Sequence, residues 1–242
     1  MKEETQMERY SVITEKNPRE IVLLRGSGCV WRRCTFCDYH LDFDQNEEEN
    51  YALNCRELSK VTGMYHHLEI INSGSFFELD EQTFEKIIQI CKEKDIHMLH
   101  FESHWLFRER IPSMRERFQK EGIELKIKIG VESFDKDFRE NVLKKGIDTD
   151  KVSDIAKYFD EVCLLQGLSG QTAESMQQDI EIGLSNFERV CVNIMVENTT
   201  KIKPNYVVIH EFKKRVYPIY KDNKRVDILL NNVDFGVGAR KE

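Results

Sequence analysis

The sequence predicts an α/β fold, a partial (β/α)6 TIM-like barrel with a C-terminal helix and strand extension, and three observations predict it. Six short apolar runs alternate with helix-like stretches and no linker intervenes, the pattern of repeated βα units around a parallel sheet. The chain has 242 residues, tight for a full eight-unit barrel. Unusual polar or glycine-bearing tripeptides follow one expected strand after another, where a barrel gathers its carboxyl-end loops.

The elements follow in order. Ile-Val-Leu-Leu at 21–24, Leu-Glu-Ile-Ile at 68–71 and Met-Leu-His-Phe at 98–101 have the length and apolarity of buried parallel strands. So do 125–130, 161–165 and 190–196. Helices are expected at about 51–66, 81–94, 108–121, 136–145, 151–159 and 173–184. Asp80 ahead of Glu81-Gln82-Thr83 and Thr172 ahead of Ala173-Glu174-Ser175 are helix-start signals. A helix at 206–221 and a strand at 226–230, packed on the edge, complete the chain. Glu47-Glu48-Glu49 reads as a solvated loop, and His66, His67 and His97 as ordinary surface or partial-core residues. The whole, 1–242, reads as one domain, with the barrel at about 20–200 and the extension at 201–242.

Composition narrows the function. With 36 basic and 43 acidic residues the formal net charge is −7, which argues against a nucleic-acid partner, since gripping many phosphates calls for a basic face. A small anionic metabolite stays compatible, because two or three arginines hold one phosphate. No apolar run reaches the length of a membrane span, and the start of the chain is charged and mixed. No membrane partner and a cytoplasmic location are the expectations.

The chemistry concentrates in Gly26-Ser27-Gly28-Cys29-Val30-Trp31-Arg32-Arg33-Cys34-Thr35-Phe36-Cys37-Asp38-Tyr39-His40, where three cysteines are spaced C-x4-C-x2-C. Three thiolates on one loop can hold three corners of an iron–sulfur cube and leave the fourth iron open. Disulfides suit poorly: the cysteine count, seven, is odd and no secretory signal is evident. Zinc is the serious rival, because His40 completes a Cys3His set with Cys29, Cys34 and Cys37, making a zinc-stabilised binding module. Cys55, Cys91, Cys163 and Cys191 read as filler.

With these residues in view, the chain resembles the radical S-adenosylmethionine enzymes over most of its length. That family spaces its cluster cysteines C-x3-C-x2-C with an aromatic residue before the third; Phe36 keeps the aromatic, and one extra residue separates Cys29 from Cys34. The resemblance implies a 4Fe-4S cluster on Cys29, Cys34 and Cys37 and S-adenosylmethionine as cofactor. It implies that Ser73, Gly74 and Ser75 of Asn72-Ser73-Gly74-Ser75 receive the methionine amino group, that Glu102 and Glu132 touch the ribose, and that Lys144 faces the methionine carboxylate. Gly167-Leu168-Ser169-Gly170-Gln171-Thr172 is similar to a Gly-Leu-Pro-Gly-Gln-Thr turn of the family, although Cys163 stands where that branch carries an acid.

Within the superfamily the chain is most similar to the branch holding the archaeosine-forming enzymes and the queuine lyases; short length and acidic charge favour the lyase side. The resemblance implies a queuosine 5′-phosphate substrate, release of queuine, and a reducing partner such as flavodoxin or ferredoxin. Action on another small molecule, or on a 7-deazaguanine nucleoside in tRNA, stays open. For the substrate, Arg25 with Arg32 and Arg33 offers charge near the cluster, Asn231, Asn232 and Asp234 offer polar groups for a purine-like base, and His104 and Glu197 are candidate donors. A tight polar turn is the competing reading of Asn231 to Asp234.

Overall fold

The computed structural model describes residues 7–239; the ends of the 1–242 unit lie outside them. In chain order the elements are β1 (Met7–Glu8), β2 (Tyr10–Ile13), β3 (Arg19–Leu23), α1 (Glu47–Leu58), β4 (His67–Ile71), α2 (Glu81–Glu93), β5 (Met98–Glu102), α3 (Ile111–Lys120) and β6 (Glu124–Glu132). There follow α4 (Val152–Ala156), β7 (Glu161–Gln166), α5 (Ala173–Asn186), β8 (Arg189–Ile194), α6 (Tyr206–Glu211), α7 (Tyr217–Tyr220), β9 (Val226–Leu229) and β10 (Gly238–Ala239). Strands β2 to β9 form one sheet in sequence order, antiparallel between β2 and β3 and parallel from β3 onward.

Alternation along the strands curls this sheet into a part-barrel. Leu68 and Ile70, Leu99 and Phe101, Ile127 and Ile129, Val162 and Leu164, and Val190 and Val192 face outward into a shared core with Phe84, Ile87 and Ile180 of the helices. The residues between them face inward, and many are charged: Glu69 lies against Arg19 (2.5 Å) and Lys128, and His100 lies 3.2 Å from Glu161. The two sheet edges meet across the opening. Lys16 Nζ donates to the Val226 carbonyl (2.6 Å), Arg19 reaches Asp227 (3.9 Å), and β1 pairs with β10.

Several expectations need correction. The triple glutamate at 47–49 is the first turn of α1, not a loop, because Asn46 accepts hydrogen bonds from Glu48 and Glu49 N–H and the acids face the positive helix end. That helix ends at Leu58, short of 66. The expected helix at 136–145 shrinks to a π turn, Phe138–Val142, since Lys144 (φ +60°) and Gly146 (φ +71°) turn the chain back toward the barrel mouth. The helix at 151–159 shrinks to α4. A 3-10 turn, Trp105–Arg110, precedes α3. The helix at 206–221 runs through a π turn, Phe212–Val216, with Pro218 in its last segment. The last strand is parallel to β8 and adds a seventh parallel strand; β2 was not anticipated.

Candidate active site

The cysteine loop leaves the carboxyl end of β3 and is gripped from three sides. On the β4 side, Glu78 accepts hydrogen bonds from Val30 N–H (2.5 Å) and Ser75 N–H (2.6 Å), and its carbonyl accepts from Ser27 N–H (3.2 Å). Gly74 lies so near that a Cβ there would sit 3.1 Å from Cys29 Cα, a place only glycine fills without displacing the loop. On the β6 side, Thr35 N–H donates to Leu143 (3.1 Å), Thr35 Oγ1 to Val142 (2.6 Å) and Trp31 Nε1 to Lys144 (2.7 Å), all at main-chain carbonyls. On the β8 side, Asn198 Nδ2 donates to the Phe36 carbonyl (2.6 Å), while Thr199 N–H and Oγ1 donate to Asp38 (2.9 and 3.0 Å).

Cys34 and Cys37 thereby pack on an apolar cluster of Phe36, Leu143, Leu165, Leu168 and Met195. Burial raises the Cys34 thiol, opposed by Lys145 and reinforced by Glu132. Burial pushes Cys37 up to about 12, against the Tyr39 N–H that favours its thiolate. Loading a metal must therefore release protons from these thiols. Tetrahedral zinc with Zn–S of about 2.3 Å needs sulfurs about 3.8 Å apart, yet Cys29, Cys34, Cys37 and His40 supply no three ligand atoms within 4.8 Å of one another; among the described residues only His66, Asp95 and His97 do. Three thiols on one loop suit three corners of a cube.

The cation at this site is Lys145. Its Nζ lies 3.2 Å from Glu132 Oε1 and 5.8 Å from the centre of the Phe36 ring, and both members of the ion pair are about nine-tenths buried. Burial lowers the Lys145 pKa, but Glu132 and then Cys34 outweigh it and raise the ammonium well above its usual range. Gly130, two residues before Glu132 on the same strand, makes room: a Cβ there would stand 2.5 Å from Glu132 Oε1 and 3.1 Å from Lys145 Nζ. Lys144, the cation expected here, is exposed and contributes its carbonyl instead.

The other predicted residues divide. Ser75 is buried with its Oγ 3.0 Å from Ser103 Oγ, and Ser73 Oγ donates to Asp42 (3.2 Å). Asn72 Oδ1, in the same loop, is buried without a partner, an acceptor that fits an ammonium group. Glu102 sits inside the mouth, 4.0 Å from both Lys128 Nζ and Cys163 Sγ; burial raises its carboxyl, with Lys128 opposing and Glu69 and Glu132 adding to the rise. A cavity of about 80 Å³ opens between the cysteine loop and the barrel, lined by Phe36, Cys37, Glu132, Leu165, Asn193, Met195 and Asn232. A wider cleft of about 570 Å³ lies outside the mouth between Phe138, Leu168 and residues 201–207.

Four candidates are engaged elsewhere. His104 uses both ring nitrogens on main chain, Nδ1 accepting from Leu106 N–H (3.2 Å) and Nε2 lying 2.8 Å from the Lys145 carbonyl, which ties it to the Lys145 segment. Glu197 is exposed and accepts from Tyr206 (3.1 Å). Arg25 donates to Asn50 (2.7 Å) and pairs with Asp44 (3.6 Å). Asp234 closes a turn on Asn231 N–H (2.9 Å), leaving Asn232 as the member of that run facing the cavity. Cys163 and Cys191, read as filler, are register partners inside the barrel.

No family model matches the chain, and no curated protein matches it. Among solved structures it is similar to a queuine lyase from Clostridium spiroforme bound to SAM and queuine, with 45% identity and a TM-score of 0.92 over 96% of this chain and 100% of that one. The chain belongs to the queuine lyase family of radical S-adenosylmethionine enzymes. A second match, SuiB from Streptococcus suis, has 13% identity and a TM-score of 0.51 over 88% of this chain and 50% of that chain, and shows the fold alone.

Several residues at the site were not expected from the sequence. Nothing local in Lys-Lys-Gly separates Lys145 from Lys144; the structure buries Leu143 and Lys145 and exposes Lys144. Glu78 carries a local signal, the Ser75-x-x-Glu78 capping box, but its hold on Val30 N–H and that of Asn198 on the Phe36 carbonyl cross long stretches of chain.

Proposed function

We propose that this chain is a queuosine 5′-phosphate lyase that releases queuine. The observation that carries the reading is the match to a queuine lyase over that protein's whole length. Cys29, Cys34 and Cys37 hold a 4Fe-4S cluster at the barrel mouth. When bound, the cluster and S-adenosylmethionine supply one-electron cleavage of a carbon–sulfur bond and with it the means to abstract a hydrogen atom from an unactivated C–H bond.

The chain's own residues then bind and exclude. Lys145 faces the methionine carboxylate, Asn72 Oδ1 and the 73–75 turn accept the amino group, and Glu102 and Glu132 accept ribose hydroxyls. Asn232 meets the base edge. Leu165 and Met195 line the cavity with apolar surface that keeps water from the reacting carbon. Electrons come from a flavodoxin- or ferredoxin-type donor, and barrel and extension act as one unit in the cytoplasm. Among the described residues no helix is long and apolar enough to cross a membrane.

Anaerobic incubation of reconstituted, reduced enzyme with S-adenosylmethionine and queuosine 5′-phosphate tests the reading. 5′-Deoxyadenosine and queuine should appear together and fail to appear in Cys34→Ala. Deoxyadenosine without queuine would refute the substrate.

A further inference from the structure

We propose that His66, Asp95 and His97 form a binding site for one divalent transition-metal ion of the zinc, cobalt or nickel class, at the end of the barrel opposite the cysteine loop. Their ligand atoms lie within 4.8 Å of one another. His66 Nδ1 stands 3.3 Å from one Asp95 carboxylate oxygen and His97 Nε2 stands 3.3 Å from the other. Tetrahedral zinc with Zn–N and Zn–O near 2.0–2.1 Å needs ligand edges of about 3.4 Å; each imidazole already lies at about that distance from one of the two Asp95 oxygens, and gathering all three groups on one ion takes a rotation of the carboxylate and an approach of the two rings from within 4.8 Å. All three side chains are more than half exposed, so that movement meets no packing resistance.

The sheet organises the site. His67 and Met98 are register partners at the starts of β4 and β5, which places His66 and His97 side by side just ahead of them. Two bonds lock the turns together: His97 N–H and Met98 N–H both donate to the His66 carbonyl, at 2.9 and 3.2 Å. The imidazole rings stack with centroids 5.5 Å apart and planes 19° from parallel. His66 (φ +54°) and Asp95 (φ +55°) both take the left-handed conformation, which aims their side chains at a common point from separate turns. His66 Nδ1 also lies 2.7 Å from the Asp95 carbonyl, a contact the ion replaces.

Two imidazoles and one carboxylate select borderline metals over calcium or magnesium, which prefer all-oxygen shells. The remaining coordination positions point to solvent and take water. At about 3.3 Å per residue, the five-residue strands β4 and β5 separate this site from the barrel mouth by about 16 Å, so the ion has no part in hydrogen abstraction. It would clip the α1–β4 turn to the α2–β5 turn.

Cobalt(II) binding by the full chain, measured by equilibrium dialysis with cobalt analysis in the cluster-loaded protein and by visible and near-ultraviolet spectra in the cluster-free cysteine triple variant, tests the assignment. One cobalt per chain should bind, with weak d–d bands and no intense sulfur-to-cobalt charge-transfer absorption in the variant, and equimolar zinc should displace it. The same binding should persist in Cys29→Ala/Cys34→Ala/Cys37→Ala and weaken at least tenfold in Asp95→Asn and in His66→Ala/His97→Ala, whose melting in EDTA should match the unaltered chain. Unchanged cobalt affinity in the histidine double variant, loss in the cysteine triple variant, or no binding at all would overturn the site.

Discussion

Replacing Lys145 by Met is the sharpest test of how this site is built. The ammonium lies 3.2 Å from Glu132 Oε1, with side-chain exposures of 10% and 11%. At an effective dielectric of about 20 that separation is worth about 5 kcal/mol of attraction, most of it offset by desolvation in the intact pair. Removing one partner leaves the other charge buried alone, which costs about 3–5 kcal/mol. Lys144→Met, one residue earlier and exposed, should cost no more than about 0.5 kcal/mol. Urea unfolding of cluster-free protein under reductant separates the two: with a slope of about 3 kcal/mol per molar, Lys145→Met should lower the midpoint by 1 M or more, by the buried-pair cost above. Adding Glu132→Gln should recover part of that loss, because the orphaned charge is gone. S-adenosylmethionine affinity of the reconstituted protein, by calorimetry, should fall with Lys145→Met and hold with Lys144→Met. A Lys145→Met midpoint equal to that of the unaltered chain, or the reverse ranking of affinities, would refute a buried lysine–glutamate pair under the cysteine loop.

Three further outcomes are expected. Glu78→Ala leaves the Val30 and Ser75 amides without their acceptor, costing about 1–3 kcal/mol for each amide, and should lower iron per chain after reconstitution; full iron content would remove Glu78 as the support of the loop. Asn232→Ala should raise KM for queuosine 5′-phosphate about tenfold, the worth of about one hydrogen bond, whereas Asp234→Ala should mainly loosen its turn; equal KM increases would return base recognition to Asp234. Burial, then the charges of His100 and Arg19, lower His67 from 6.5 to about 3, and burial with Lys145 lowers His104 to about 4 against its hydrogen bond to the Lys145 carbonyl. Both are neutral in the fold and take up a proton on unfolding, so their contribution is full above pH 6.5 and is lost as pH falls toward 3–4, at up to about 1.4 kcal/mol per pH unit for each group. Urea midpoints that stay level from pH 7 to pH 5 would contradict this.

The local grammar of the chain was enough for the βα series, the cysteine loop and the helix starts at Asp80 and Thr172, because strand runs, caps and C-x4-C-x2-C spacing are written within a few neighbouring residues. The charged inner wall was legible too, in Leu-Lys-Ile-Lys-Ile at 125–129, where every second residue is charged, and in the lone Glu69 of Leu-Glu-Ile-Ile, although those runs read as buried strands. Only tertiary structure decided that 136–145 bends into the mouth instead of forming a helix: Thr35 and Trp31 hold its carbonyls from more than a hundred residues away. It likewise buried Lys145 and exposed Lys144, turned Asn232 to the cavity, and set Cys163 beside Cys191. Neighbouring residues differ little in type, and which of them turns inward depends on a backbone path set by contacts across the barrel, where sequence distance carries no information.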